Sequence, residues 1–270
     1  MSINYLNDFN AVCQNIWNLG AIKLTILVIL SYQLVAARDY DERSRDFYGD
    51  FTSDESYGDL NLLEMSTNQK DHIVRLHNRL RNKIALGEIR RFDSASRMPA
   101  LRWSDELARL AETKARACAD GREECKKDKY RNQNIARRGC SDKINEPPTY
   151  TMSSMIMDWF LEYRDGDMSN IYSSNNRPQG FETINKDIEN FAVMMNDRNS
   201  AVGCAMIRSQ EDGLKFDHLV CNYGYATNRK PVYERGSAAS RCKERHSTYE
   251  GLCRNSNNVD DRRLLTLFFR

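Results

Sequence analysis

Two short runs late in the chain, SAVGCAMIRS (Ser200–Ser209) and LKFDHLVCNYGYA (Leu214–Ala226), have β-type composition and are joined by the turn signal QEDG. They read as an antiparallel hairpin with Cys204 on one strand and Cys221 on the other. What precedes them has a different period. In TNQKDHIVRLHNRLRNKIALGE, Ile73, Leu76, Leu80 and Ile84 fall on one helical face, with Thr67 or Asn68 as cap and Gly87 as terminator. Ser104 caps a second helix whose face carries Leu107, Leu110, Ala111 and Cys118. A third carries Met152, Met155, Ile156, Trp159, Phe160 and Tyr163. A fourth carries Ile184, Ile188, Phe191, Ala192 and Met195. Helices followed by strands indicate an α+β fold in layers, not an alternating α/β one.

The compartment follows from the N-terminal region. Lys23 precedes an apolar run, Leu24 to Ala36, that ends in the small residues Val35-Ala36-Ala37. That is the shape of a secretory h-region and cleavage site, and it is too short for a bilayer span of about 20 residues. A signal peptide over residues 1–37 is preferred to an uncleaved anchor, and no stable membrane span is expected. Export implies an oxidising route, so the cysteines are read as disulfide partners. Removing the leader removes Cys13 and leaves seven: Cys118, Cys125, Cys140, Cys204, Cys221, Cys242 and Cys253. A disulfide closing a loop of the hairpin's size contributes about 3 kcal/mol in the chain-entropy model.

Residues 38–66 are rich in Asp, Glu, Ser, Tyr and Gly, poor in aliphatics, and read as an acidic mobile arm. Residues 67–228 hold the helices and hairpin. Residues 229–270 form a polar extension in which Cys242 and Cys253 are spaced to staple a small loop. The balance of 40 basic to 38 acidic residues, spread along the chain, gives no nucleic-acid surface.

Six motifs then occur in order: HNRLRNKIALGE, MPALRWSDELARLAE, NQNIA, MIMDWFLEYRD, NFAVMMNDRNSAVGCAMI and HLVCNYGYA. Together they resemble the CAP superfamily of cysteine-rich secretory, antigen 5 and pathogenesis-related type 1 proteins, in its insect antigen 5-like branch. The resemblance covers Asn68 to Asn228. It implies a three-layer α-β-α sandwich with an antiparallel sheet pinned by a Cys204–Cys221 disulfide. Insect antigen 5-type chains usually carry cysteines near the mature N-terminus. The arm here has none, so the pairing of Cys118, Cys125 and Cys140 stays open.

The resemblance also implies a cleft that holds two His and two Glu in many relatives, a set suited to Zn²⁺. Carried over by position, those four places are Arg122, Gln133, Glu162 and Asn190 here. A lone carboxylate with an arginine and two amides is a degenerate site, so neither a metal nor another cofactor is expected. His77 lies where the family has a structural histidine, and core or capping use is favoured over ligation. His72 is placed on the exposed side of the same helix, His218 on a strand beside Cys221, and His246 in the C-terminal extension. Without a cleft histidine there is no evident general base to activate a hydroxyl. The expectation is a secreted, non-enzymatic protein that binds an extracellular protein partner through the Asp165–Asn185 loop and the acidic arm, in a reproductive or salivary fluid. The alternative is a small lipid, a sterol or fatty acid, held in an apolar gap near Met152, Met155, Met157, Met194 and Met195.

Overall fold

A computed structural model describes residues 61–120, 132–141, 147–172, 186–211, 214–225 and 231–255. The leader, Arg122, Cys125 and most of the acidic arm and of the Asp165–Asn185 loop lie outside the described residues. The elements in chain order are β1 (Asn61–Leu62), α1 (Thr67–Ala85), β2 (Arg102–Trp103), α2 (Asp105–Ala119), β3 (Gln133–Ser141), α3 (Pro148–Leu161), α4 (Glu189–Met195), β4 (Ala201–Glu211) and β5 (Leu214–Tyr223). A 3₁₀ turn, Glu162–Asp165, extends α3.

Local chemistry accounts for the helix ends. Ser66, one residue before the expected caps, forms a capping box with Gln69 at the start of α1. At its end Gly87 adopts φ +75°, a conformation that favours glycine. Ser104 caps α2 as expected, accepting from the Leu107 N–H at 3.3 Å. Asp105 and Glu106 in the first turn complement the helix dipole.

The sheet order is β1-β4-β5-β3, with β2 pairing β4 in parallel. The β4–β5 hairpin has the predicted antiparallel pairing, and its register sets Cys204 opposite Cys221. The two are disulfide-bonded, as are Cys242 and Cys253. Cys118 is disulfide-bonded as well.

Alternation along the hairpin divides the core in two. Val202, Cys204, Met206, Leu219, Cys221 and Tyr223 pack on one side with residues of α1, α3 and α4. Ala205, Ile207 and Val220 pack on the other with Ala111, Ala115 and Ala119 of α2. The result is a sheet between helical layers. Small residues on α2 let it approach closely. A Cβ built on Gly203 would come within 2.3 Å of the Ser104 carbonyl oxygen and the Ala108 nitrogen.

Both flanks of the domain differ from expectation. Residues 61–63, assigned to the mobile arm, join the sheet. Asn61 and Leu62 pair with Arg208 and Ile207, and the Leu63 N–H donates to Met206 O at 3.0 Å. Residues 231–255, the described part of the polar extension expected over 229–270, pack into the domain. Val232, Tyr233 and Leu252 are fully buried. Backbone bonds join Ser96 to Glu234, Ala100 to Cys253 and Cys253 to Met98. The loop after α1 buries Phe92, Ala95, Met98 and Leu101, and the returning chain covers these apolar side chains.

Candidate functional site

Glu162 begins the 3₁₀ turn that follows α3, and Asn190 lies in the first turn of α4. Both are half-buried. The Asn190 side-chain amide donates to Glu162 Oε1 at 2.5 Å, and the Phe191 N–H donates to Oε2 at 3.0 Å. Each carboxylate oxygen therefore accepts from a group fixed on α4, which holds the carboxylate in one orientation.

The remaining assigned positions do not join this pair. Arg122 lies outside the described residues. Gln133 pairs with Asn222 in the β3–β5 register, and its amide donates to Asn222 Oδ1 at 2.6 Å. Asn222 in turn donates to Leu107 O of α2 at 3.3 Å. Gln133 thus belongs to the α2 side of the sheet, away from the Glu162 side. The next residue, Asn134, takes the opposite side because strand side chains alternate. Its amide reaches Asn190 O at 3.1 Å and Tyr223 Oη at 3.4 Å. Sequence reading passed over Asn134, and the signal that could have found it is the period-two parity of β3.

Asn134 connects the Glu162 corner to a buried polar chain. Tyr223 Oη lies 3.0 Å from His77 Nε2, and His77 Nδ1 lies 2.9 Å from Ile73 O. A carbonyl oxygen only accepts, so Nδ1 carries the proton and Nε2 accepts from the tyrosine hydroxyl. His77 is fully buried, as favoured for a structural histidine. Burial pushes its pKa down to about 4, and the Arg81 cation acts in the same direction. Tyr223, also fully buried, is pushed well above its ordinary range by burial.

Arg81, one turn along α1, is fully buried too. Its guanidinium donates to the carbonyls of Met194 (2.6 Å), Asn196 (3.0 Å), Pro99 (2.9 Å) and Asn199 (3.3 Å). Burial lowers its pKa to about 10, so it remains a cation at neutral pH. The arginine ties α1 to the end of α4 and to the loop before β2.

The other histidines are occupied locally. His72, expected on the exposed side of α1, is half-buried against α3, with Nε2 2.8 Å from Ser153 Oγ. His218 Nε2 is 3.0 Å from Ser209 Oγ inside the hairpin. His246 Nδ1 accepts from the N–H groups of Thr248 and Tyr249. Among the described residues no group of three or more His, Cys, Asp or Glu is arranged to hold a metal ion. Both oxygens of Glu162 already accept from nitrogen donors. This donor set does not fit zinc.

The fold and this histidine–tyrosine–asparagine network meet a matching family model. Residues 74–223 match that of CAP, the cysteine-rich secretory protein family. The chain belongs to this family. Its antigen 5-like character is carried by insect relatives. It is 39% identical over 153 residues to the "Antigen 5 like allergen Cul n 1" of Culicoides nubeculosus, spanning 56% of this chain and 66% of that protein. It is 33% identical over 200 residues to "Venom allergen-1" of Aedes aegypti, covering 71% of this chain and 74% of that protein. Among solved structures, BmVAL-1 superposes with a TM-score of 0.54 at 18% identity, covering 72% of this chain and 97% of that one. NaASP2 with Zn²⁺ superposes with a TM-score of 0.52 at 19% identity, covering 70% and 96%. These likenesses establish the α+β CAP fold. Among the described residues, no helix of this family member is long and apolar enough to cross a membrane.

Proposed function

We propose that this CAP-domain chain is secreted and works without catalysis, by binding an extracellular protein at its surface. One observation carries the reading. The cleft carboxylate Glu162 is held by Asn190 and Phe191, and the nearby histidine, His77, is sealed in the core as a hydrogen-bonding post. A buried, doubly hydrogen-bonded imidazole is a poor general base for a substrate proton it cannot touch. A fixed carboxylate between amide donors serves the scaffold. The secretory family and the venom-allergen relatives support the extracellular setting. A salivary or reproductive fluid is the proposed place of action.

Binding is assigned to the Asp165–Asn185 loop and the acidic arm, because loops on a rigid scaffold carry recognition. The described start of that loop is pre-shaped by a capping box between Asp167 and Asn170. The methionines that suggested a lipid gap do not favour that alternative. Met152, Met155, Met194 and Met195 are all buried within one packed cluster. The test is affinity capture from the host's extracellular fluid, using the full chain, a chain lacking residues 38–56, and one with residues 173–185 scrambled. Capture of a specific protein that is lost on one of these changes supports the assignment. Capture unchanged by both overturns it.

A further inference from the structure

We propose that the outward face of α1 is a docking surface for a sulfated polysaccharide. Arg75, Arg79 and Lys83 are exposed and recur every four residues. That spacing sets three cations in a row, about 6 Å apart along the helix axis. Lys70, Arg116, Arg138, Arg241 and Arg254 close ion pairs with Asp105, Glu112, Asp158, Glu234 and Glu244, whereas Arg90, Arg97 and Arg109 are exposed on other segments and, among the described residues, close none. Among the described residues, no carboxylate lies within ion-pair distance of Arg75, Arg79 or Lys83. Asp71 is exposed one turn before Arg75, and Glu250 is exposed near the far end, but neither closes an ion pair with the row.

The row is bordered by ordered structure. Helix α3 meets α1 at the His72–Ser153 contact, and the stapled extension meets it where the Gly251 N–H donates to Asn82 Oδ1 at 2.8 Å. The extension brings Tyr249 beside the row, its ring 5.0 Å from that of His246. Burial lowers the pKa of His72, with Arg75 and Arg79 acting in the same direction, and burial raises that of Tyr249 against the pull of the same two cations. Tyr249 and the cations thus share this face, and among the described residues no carboxylate closes an ion pair with the row.

The shape and chemistry of the row select its occupant. A linear polyanion with repeated anionic groups matches a linear row of cations and gains by releasing counterions. A membrane surface would need apolar side chains to enter the lipid, and among the described residues the exposed large apolar side chains, Tyr150 and Leu214, both lie off α1. The secretory family places the chain where sulfated polysaccharides occur. The inference is independent of the protein-binding reading, since it uses neither the arm nor the Asp165–Asn185 loop.

The experiment measures binding of the full chain to immobilised heparin over a range of salt concentrations. It compares wild type, the triple variant Arg75→Gln/Arg79→Gln/Lys83→Gln, and a charge-matched control, Arg90→Gln/Arg97→Gln/Arg109→Gln. Melting temperatures establish that all three are folded. Removing the row should weaken binding at least about tenfold and reduce the slope of log K against log salt by about 2, while the control keeps most of the wild-type slope. Equal weakening in both variants would overturn the proposal, because net charge alone would explain it. Tighter binding to phosphatidylserine vesicles or polyglutamate than to heparin would overturn the choice of partner.

Discussion

Acid should unfold this domain through His77. The imidazole is fully buried, donates from Nδ1 to Ile73 O, and accepts at Nε2 from Tyr223. Adding a proton to Nε2 sets two donors against each other. The larger cost is burial itself, because the charged imidazole would sit in the core without water. The folded pKa is about 4, against an ordinary 6.5. The unfolded chain therefore binds more protons throughout that window. Stability is complete above pH 6.5 and falls as the pH drops toward 4, below which the effect saturates. The difference corresponds to about 3 kcal/mol, a large part of the total stability of a domain this size.

Urea unfolding at about pH 7, 6, 5 and 4 measures the effect, with a limiting slope of about 1.4 kcal/mol per pH unit from this one group. Two variants isolate it. His77→Gln should lose the slope while also losing stability at neutral pH. Tyr223→Phe keeps the buried imidazole and should keep the slope, while costing about 1–3 kcal/mol at neutral pH for the orphaned Nε2. A His77→Gln variant that loses stability with acid as steeply as the wild type would refute the reasoning and move the sensitivity to the carboxylates.

Three further outcomes test other parts of the structure. Arg81→Met removes a donor from four buried carbonyls, of which Asn196 O keeps the Asn199 N–H, and should destabilise the domain by about 3–5 kcal/mol by chemical denaturation; a loss below about 1 kcal/mol would mean that the clamp is dispensable. Gly203→Ala forces a Cβ against the backbone of α2 and should cost about 1–3 kcal/mol or more, so an unchanged melting temperature would show that α2 does not lie on the strand. Zinc titrated calorimetrically into the wild type should give no one-to-one binding, and adding Gln133→Glu to Arg122→His and Asn190→His should change affinity little. A marked gain from the added glutamate would show that position 133 reaches Glu162.

Periodicity made the helices and the hairpin legible. The faces of α1 and α3 were readable because long segments repeat the pattern. The hairpin was readable because two β-type runs flank a turn signal. Strand β3 was not identified from pattern, since Arg137, Arg138 and Gly139 interrupt the apolar alternation at the sheet edge. The partner of a strand pays no visible toll in local sequence, and here β5 supplies the pairing. The extension was misjudged for a related reason. Its few apolar residues, Val232, Tyr233 and Leu252, are spaced without a period, so only the surface they cover reveals their role.

The candidate site was legible in part, and the missing part is geometric. Sequence position assigned Glu162 and Asn190, which the structure brings into contact. It also assigned Gln133, one residue from Asn134, the side chain that meets Asn190. A one-residue difference on a strand exchanges the two faces of the sheet, so adjacent residues can serve unrelated environments. Gln133 supports the α2 layer through Asn222, while Asn134 links Asn190 to Tyr223 and His77. The corner that holds Glu162 is therefore continuous with the buried network that supports α1. Changes to Asn134 would disturb the Glu162 corner and the core together, whereas changes to Gln133 would act through the opposite layer.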